Sequence, residues 1–288
     1  MALNLDTPAP AALPGIAAEL GAWATDDGPI QLHPGDVGWY WRFGAAATAA
    51  ALRTWSRDGR LLAVGLLDGP GLLRLAIAPD ARDDAALAER LALDASTPGA
   101  GVLPEGEAFI EAPGGARVRE ALAASGWRED ESWAPLRHDL TAPARDPGLR
   151  IEVAGPAQAA ERAAVQRASF GGSTFTEARW LAMAAGPLYA DARCLLAYDA
   201  DASLVAGVTV WSAGPGRPGL IEPLGVDAGH RGRGYGTAAT RAAVAALREL
   251  GSSSALVCTQ SANTAAVAAY ASAGFRALPE VADLRRDG

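Results

Sequence analysis

The chain has 288 residues and no lysine; all 25 of its basic residues are arginine. That absence removes a Walker-type phosphate loop, which needs a lysine on the terminal phosphates. Cysteine is almost missing as well, with Cys194 and Cys258 alone, so no disulfide framework is implied. Each lies in an apolar strand-like run, where a free thiol is expected to pack as a small hydrophobe. His33, His138 and His230 are scattered, none at metal-ligand spacing, and no metal is expected. No apolar run approaches the roughly 20 residues that span a bilayer. The N-terminus, with Asp6 and Glu19 among Pro8, Pro10 and Pro14, lacks the basic-then-apolar order of a secretory signal. The expectation is a cytoplasmic protein with no membrane partner.

Positive charge is also short in one half. Residues 1–150 carry 13 arginines against 21 carboxylates, and residues 151–288 carry 12 against 12. Neither half offers the basic face that nucleic acid requires. The acidic first half would instead favour a cationic small molecule such as an amine. Hydrophobic residues make up 50% of the chain, enough for one large or two modest globular cores.

What is present centres on Val226-Asp227-Ala228-Gly229-His230-Arg231-Gly232-Arg233-Gly234-Tyr235-Gly236-Thr237. An apolar run over 220–226 precedes it and an alanine-rich helical pattern over 234–250 follows, so it reads as strand, glycine loop, helix start. Gly232, Gly234 and Gly236 let the backbone turn and approach a ligand closely. The new helix presents unpaired N–H groups and the positive end of its dipole. Together these make an anion cradle suited to phosphates, with Arg231 and Arg233 adding charge at its rim. A dinucleotide fingerprint is excluded, because it needs an acid about 20 residues further on, and the strand predicted over 255–259 has none.

This loop resembles the acetyl-CoA motif of the Gcn5-related N-acetyltransferases (GNAT), with Arg231, Gly234 and Gly236 in its key places. A second stretch, Asn263-Thr264-Ala265-Ala266-Val267-Ala268-Ala269-Tyr270-Ala271-Ser272-Ala273-Gly274-Phe275, is similar to that family's helix motif and lies at the right distance. The resemblance is strong over 203–278 and weaker over 1–148. It implies a mixed α/β fold, a central mixed sheet flanked by helices. It also implies acetyl-CoA as co-substrate and a small-molecule amine as acceptor.

Predicted elements repeat. Strands over 61–67 and 72–78, a helix over 85–94, a strand over 108–111, a helix over 116–125 and strands over 127–140 follow one order. Strands over 192–198, 203–211 and 220–226, the helix over 234–250, a strand over 255–259, a helix over 263–273 and a short strand over 274–278 follow it again. Further helices are predicted over 11–23, 46–56, 157–169 and 176–184, and a strand over 149–153. A duplication accounts for this, giving tandem domains over 1–142 and 149–288 with a proline-rich linker over 143–148. In the first copy Pro79-Asp80-Ala81-Arg82-Asp83-Asp84 replaces the glycine loop, and its carboxylates would repel a pyrophosphate. Gly115 and Leu122 stand where Asn263 and Tyr270 stand in the second. The first domain is therefore expected to keep the fold without the cofactor, as in tandem acetyltransferases of the mycothiol synthase-like layout. Such an internal pseudo-dimer would act as a monomer or a homodimer.

The resemblance also implies roles. Backbone N–H groups of residues 231–237 would hold acetyl-CoA. The strand before the loop, with Leu224, Gly225 and Val226, would offer a free N–H to the thioester oxygen. Tyr270 would protonate the leaving thiolate, and Asn263 would cap its helix or touch the cofactor. Glu222 is the candidate base; strand alternation puts it on the face of Leu224 and Val226, and Pro223 suggests a bulge or edge. Phe170, Phe175, Trp180 and Trp211 would line the acceptor pocket or form core. Other acyl-CoA donors, a non-catalytic CoA sensor and an aminoacyl-tRNA-dependent transferase are the alternatives, the last disfavoured by the loop itself.

Overall fold

In the computed structural model, which describes residues 2–288, the elements run in chain order. They are β1 (Leu3–Asp6), α1 (Leu13–Trp23), α2 (Pro34–Tyr40), α3 (Ala45–Ala51), β2 (Leu52–Arg57), β3 (Arg60–Leu67), β4 (Leu72–Ile77), α4 (Ala85–Ser96), β5 (Ala108–Glu111), α5 (Val118–Ala124) and β6 (Arg128–Asp139). After these come β7 (Arg150–Val153), α6 (Ala159–Ser169), α7 (Glu177–Ala184), β8 (Ala192–Tyr198), β9 (Leu204–Ser212), β10 (Gly219–Val226), α8 (Tyr235–Glu249), β11 (Ser254–Gln260), α9 (Thr264–Ser272), β12 (Arg276–Ala277) and β13 (Val281–Arg286).

The helix predicted over 46–56 is corrected. It stops at Ala51, because Thr54 and Trp55 favour extended backbone and residues 52–57 pair with β3. Asp58 (φ 54°) and Gly59 (φ 78°) then form the tight two-residue turn of a hairpin. The strand β13 and the helix α2 lie outside the predicted elements.

The chain forms two compact units that no single cut separates. The first contains Met1–His33, Ala45–Trp133 and Glu280–Gly288, and the second contains Pro34–Gly44 and Ala134–Pro279. The stretch expected as a linker, 143–148, lies within the second of these units. Its prolines mark a loop, whereas the change of unit falls inside β6, a strand of 12 residues. The front of β6 pairs with β13 in the first unit, and its back pairs with β12 in the second.

In the first unit the strand order is β1-β2-β3-β4-β5-β13-β6. The second reads β6-β11-β10-β9-β8-β7. Within each, one pair is parallel, β4 with β5 and β10 with β11, and a helix makes the crossover. The same succession of strands and helices occurs in both, as the sequence repeat requires.

The core of the second unit explains its alanine content. Ala239 and Ala243 on α8 are at most 1% exposed, and side chains this small let the helix lie close on the sheet. Leu247 fills the space that a Cβ at Gly219 would take, 2.4 Å from its Cδ2. Burying such a leucine contributes about 2 kcal/mol. Among the described residues no helix is long and apolar enough to cross a membrane.

Candidate active site

The site begins where β10 leaves its neighbours. Ile221 pairs with Val210 and Leu224 with Val208, so Glu222 and Pro223 form a bulge opposite one residue of β9. With β11 the pairing covers only Gly219 with Ala255 and Leu220 with Leu256. Beyond that point the two parallel strands part. The Asp227 N–H donates to the Val205 carbonyl at 3.0 Å. By antiparallel alternation, the N–H groups of Leu224 and Val226 then point away from β9, into the opening toward β11. The bulge also breaks the strict alternation used to place Glu222 on the face of Leu224 and Val226.

At the far end of β10 the chain turns through the glycine loop. Asp227 Oδ1 accepts from the Gly229 N–H at 2.8 Å and its carbonyl from the His230 N–H at 2.8 Å. Gly232 (φ 76°) and Gly234 (φ 83°) are left-handed, a conformation only glycine adopts cheaply. Gly234 is the N-cap of α8 and supplies no side-chain cap. Among the described residues, no protein acceptor meets the N–H groups of residues 231–237. Gly236 has room for a Cβ, with Ala269 Cβ at 3.6 Å and Val226 Cγ2 at 3.7 Å. Protein packing therefore does not require glycine there, whereas close approach of a ligand backbone or phosphate does. Residues 231–237 fit a pyrophosphate on this count.

The side chains of the loop are more occupied than the sequence suggested. Arg231 Nη2 donates to the Ser169 carbonyl at 2.6 Å, bracing the loop on the end of α6. Arg233 is exposed. Thr237 Oγ1 donates to the Ala269 carbonyl at 3.2 Å and ties α8 to α9. Tyr235 packs partly buried against Ala197, Val205, Ala206 and Ala239.

On the opposite wall, Asn263 Oδ1 accepts from the Ala266 N–H at 3.2 Å and caps α9. The helix carries Tyr270, 7% exposed, with its ring 5.9 Å from that of Phe275. Burial pushes the Tyr270 phenol up to about 12, and the negative charge of Glu222, then of Cys258, pushes in the same direction. Glu222, half-buried, lies near enough for its charge to act on the Tyr270 phenol. Trp211 Nε1 donates to the Glu222 carbonyl at 2.8 Å and fixes the bulge.

The aromatic residues divide. Phe175, Trp180 and Trp211 are at most 4% exposed and belong to the core, while Phe170 is 37% exposed. Phe170 lies against β10, where a Cβ at Gly225 would come within 2.7 Å of its Cε2. Cys258 is also corrected. It is exposed at the end of β11, not packed as a small hydrophobe, because β10 has left that part of the strand uncovered. Sequence reasoning missed Trp211 as the bulge's donor, since its partner is a backbone carbonyl that leaves no pattern in the sequence.

In the first unit, the position equivalent to the glycine loop is closed. Asp84 caps α4 by accepting from the Leu87 N–H at 3.0 Å and also holds Arg57 at 2.6 Å. That arginine, with the cap's backbone hydrogen bond, holds the Asp84 carboxyl below the usual carboxylate range.

Fold and site define a mixed α/β class: a central sheet with a parting strand pair and a glycine loop without a side-chain cap at its mouth. Residues 163–275, within the second unit, match the model of the Acetyltransferase (GNAT) family. This part of the chain, 113 of the 288 residues, is similar to that acetyltransferase family. A GCN5-related N-acetyltransferase from Sphaerobacter thermophilus has a TM-score of 0.62 and 19% identity, over 99% of this chain and 95% of that one. A tandem GNAT protein of the clavulanic acid biosynthesis pathway gives 0.60 and 16%, over 99% and 98%. A GNAT-family acetyltransferase from Colwellia psychrerythraea gives 0.64 and 16%, over the whole of both chains. At these identities the likeness shows the fold, which extends through both units. No curated protein matches the sequence.

Proposed function

We propose that the second unit transfers an acetyl group from acetyl-CoA to the amine of a small molecule, by direct attack within a ternary complex. The observation that carries this reading is the parting of β10 from β11, with two N–H groups aimed into the gap and the buried Tyr270 in the core cluster against which Leu224 of β10 packs. The N–H groups of residues 231–237 hold the pyrophosphate, with Arg233 adding charge and Arg231 bracing the loop. The pantetheine chain then runs back along β10 toward the bulge. The Val226 N–H, or that of Leu224, meets the thioester oxygen as charge gathers there.

The amine nitrogen forms its bond to the carbonyl carbon while the carbon–sulphur bond breaks. The amine's proton passes to Glu222, directly or through water, and the departing thiolate takes the Tyr270 proton. These two transfers help each other. Ionised Glu222 holds the phenol up, so proton uptake at Glu222 removes that influence as the thiolate needs its proton. The acetyl preference rests on the family's use of acetyl-CoA. Asp84, occupying the helix N-terminus of the first unit, supports a first unit that keeps the fold without binding the cofactor.

Calorimetric titration of the intact chain with acetyl-CoA, CoA and succinyl-CoA tests the reading. One site per chain preferring acetyl-CoA is expected, and Tyr270→Phe should lower kcat by on the order of 100-fold with acetyl-CoA affinity unchanged. Two sites would refute the closed first unit, and no binding would refute the transferase.

A further inference from the structure

The helix α2 and the 3-10 turn Trp41–Phe43 come from the first half of the sequence yet belong to the second unit. There α2 packs on β9 and β10. Gly38 lies flat on the Trp211 indole, where a Cβ would fall 2.4 Å from Cζ3. The same indole holds the Glu222 carbonyl. One ring thus separates this segment from the bulge where the proposed chemistry occurs.

Its position along β10 is informative. The glycine loop stands at the C-terminal end of the strand, so the cofactor enters from there. The Trp211 end is the other one, because Trp211 pairs with Leu220 at the start of β10. A second substrate has to arrive from the side that α2 occupies.

The segment is built to present aromatic surface there. Trp39 stacks on Phe175 at 5.1 Å, and Trp41 covers Gly186, where a Cβ would meet its Cδ1 at 2.8 Å. Those two rings anchor it. Tyr40 and Phe43 meet edge to face at 5.0 Å and remain accessible, Phe43 at 41%. The Arg42 guanidinium lies 4.4 Å from the Phe43 ring and the Arg179 guanidinium 5.1 Å from it, stiffening the pair. Accessible aromatic rings held in place by such anchors offer a surface for recognition.

We infer that Pro34–Phe43 is the acceptor-side wall of the transferase site, and that Tyr40 and Phe43 select an amine carried on an aromatic or apolar body. The inference rests on the transferase reading above. Glu222 draws the ammonium toward the bulge while the body of the acceptor lies along the two rings.

The test measures acetyl transfer by the intact chain to 2-phenylethylamine and to ethanolamine, with free thiol release as readout. A preference of at least tenfold in kcat/KM for phenylethylamine is expected. Phe43→Ala and Tyr40→Ala should lower that value about tenfold through KM, leave ethanolamine within twofold, and leave calorimetric acetyl-CoA affinity unchanged. Phe43→Leu, which keeps apolar surface, should recover much of the loss and so separates recognition from misfolding. Equal use of both amines, or equal losses for both in the variants, would overturn the inference while leaving the transferase standing. Failure to bind acetyl-CoA would overturn both.

Discussion

Arg162 is fully buried in the second unit with no carboxylate among its hydrogen-bond partners. Its Nε donates to Cys194 Sγ at 2.9 Å, its Nη1 to Gln166 Oε1 at 2.8 Å and its Nη2 to Thr209 Oγ1 at 3.3 Å. Trp180 Nε1 also donates to Cys194 Sγ, at 3.4 Å. A cysteine that seemed from its apolar run to be mere filling therefore accepts from a buried cation and from a buried indole. Cys194→Ala strands both donors. An unsatisfied charged donor costs about 2–3 kcal/mol and an unsatisfied neutral one about 1–2. Losing the buried sulphur removes about 1 kcal/mol more. The expected destabilisation is about 4–6 kcal/mol, and with a urea slope of about 2–3 kcal/mol/M the midpoint of the second unit's transition falls by about 2 M. Cys194→Ser keeps an acceptor at longer reach and should cost about half as much. Cys258→Ala, at an exposed position, should move the midpoint by no more than about 0.5 kcal/mol equivalent. Urea titration followed by tryptophan fluorescence measures all three. A Cys194→Ala midpoint within about 0.5 M of the parent, or a serine variant as weak as the alanine one, would refute the argument.

Three other outcomes are expected. Gly225→Ala would place a Cβ 2.5 Å from that of Ser169 and 2.7 Å from Phe170 Cε2, forcing the end of α6 off β10; a loss of about 1–3 kcal/mol in thermal unfolding is expected, and a neutral variant would argue against that packing. Gly234→Asp adds strain at φ 83° and a carboxylate to the cradle, so acetyl-CoA affinity should fall by on the order of 100-fold in calorimetry while the fold persists. Asp283 is pushed up to about 6, chiefly by burial and then by Asp130. Its folded state thus binds protons more tightly than the unfolded state, and stability falls as pH rises from about 4 to about 6. Asp283→Asn, which still accepts from Trp133 Nε1, should remove that fall and gain at most about 1 kcal/mol at pH 7 after solvent screening. Melting curves across pH 4–7.5 check it, and parallel curves would count against it.

Local chemistry carried much of this protein into its sequence. Left-handed Gly232 and Gly234, the helix after them and the Asn263 cap follow from residue type and short spacing, because turns, caps and helix starts are decided within a few residues. The duplication was legible for the same reason, as a repeat of local patterns. What depended on distant partners was not. The stop of α3 at Ala51 is imposed by pairing with β3, and β6 changes unit at Trp133 because β13, 148 residues further on, pairs with its front. Cys194 and Cys258 look alike in sequence, yet one meets Arg162 and the other is laid bare by the departure of β10. The placing of Pro34–Gly44 beside β10 rests on a glycine flat against Trp211, and neither residue announces the other. Sequence by itself determined the left-handed glycine turn, the capped helix and the tandem order, since each is short-range. Only the tertiary structure decided which strands part, which N–H groups point into the gap and which half of the chain packs beside β10, since these depend on packing between residues far apart in the chain.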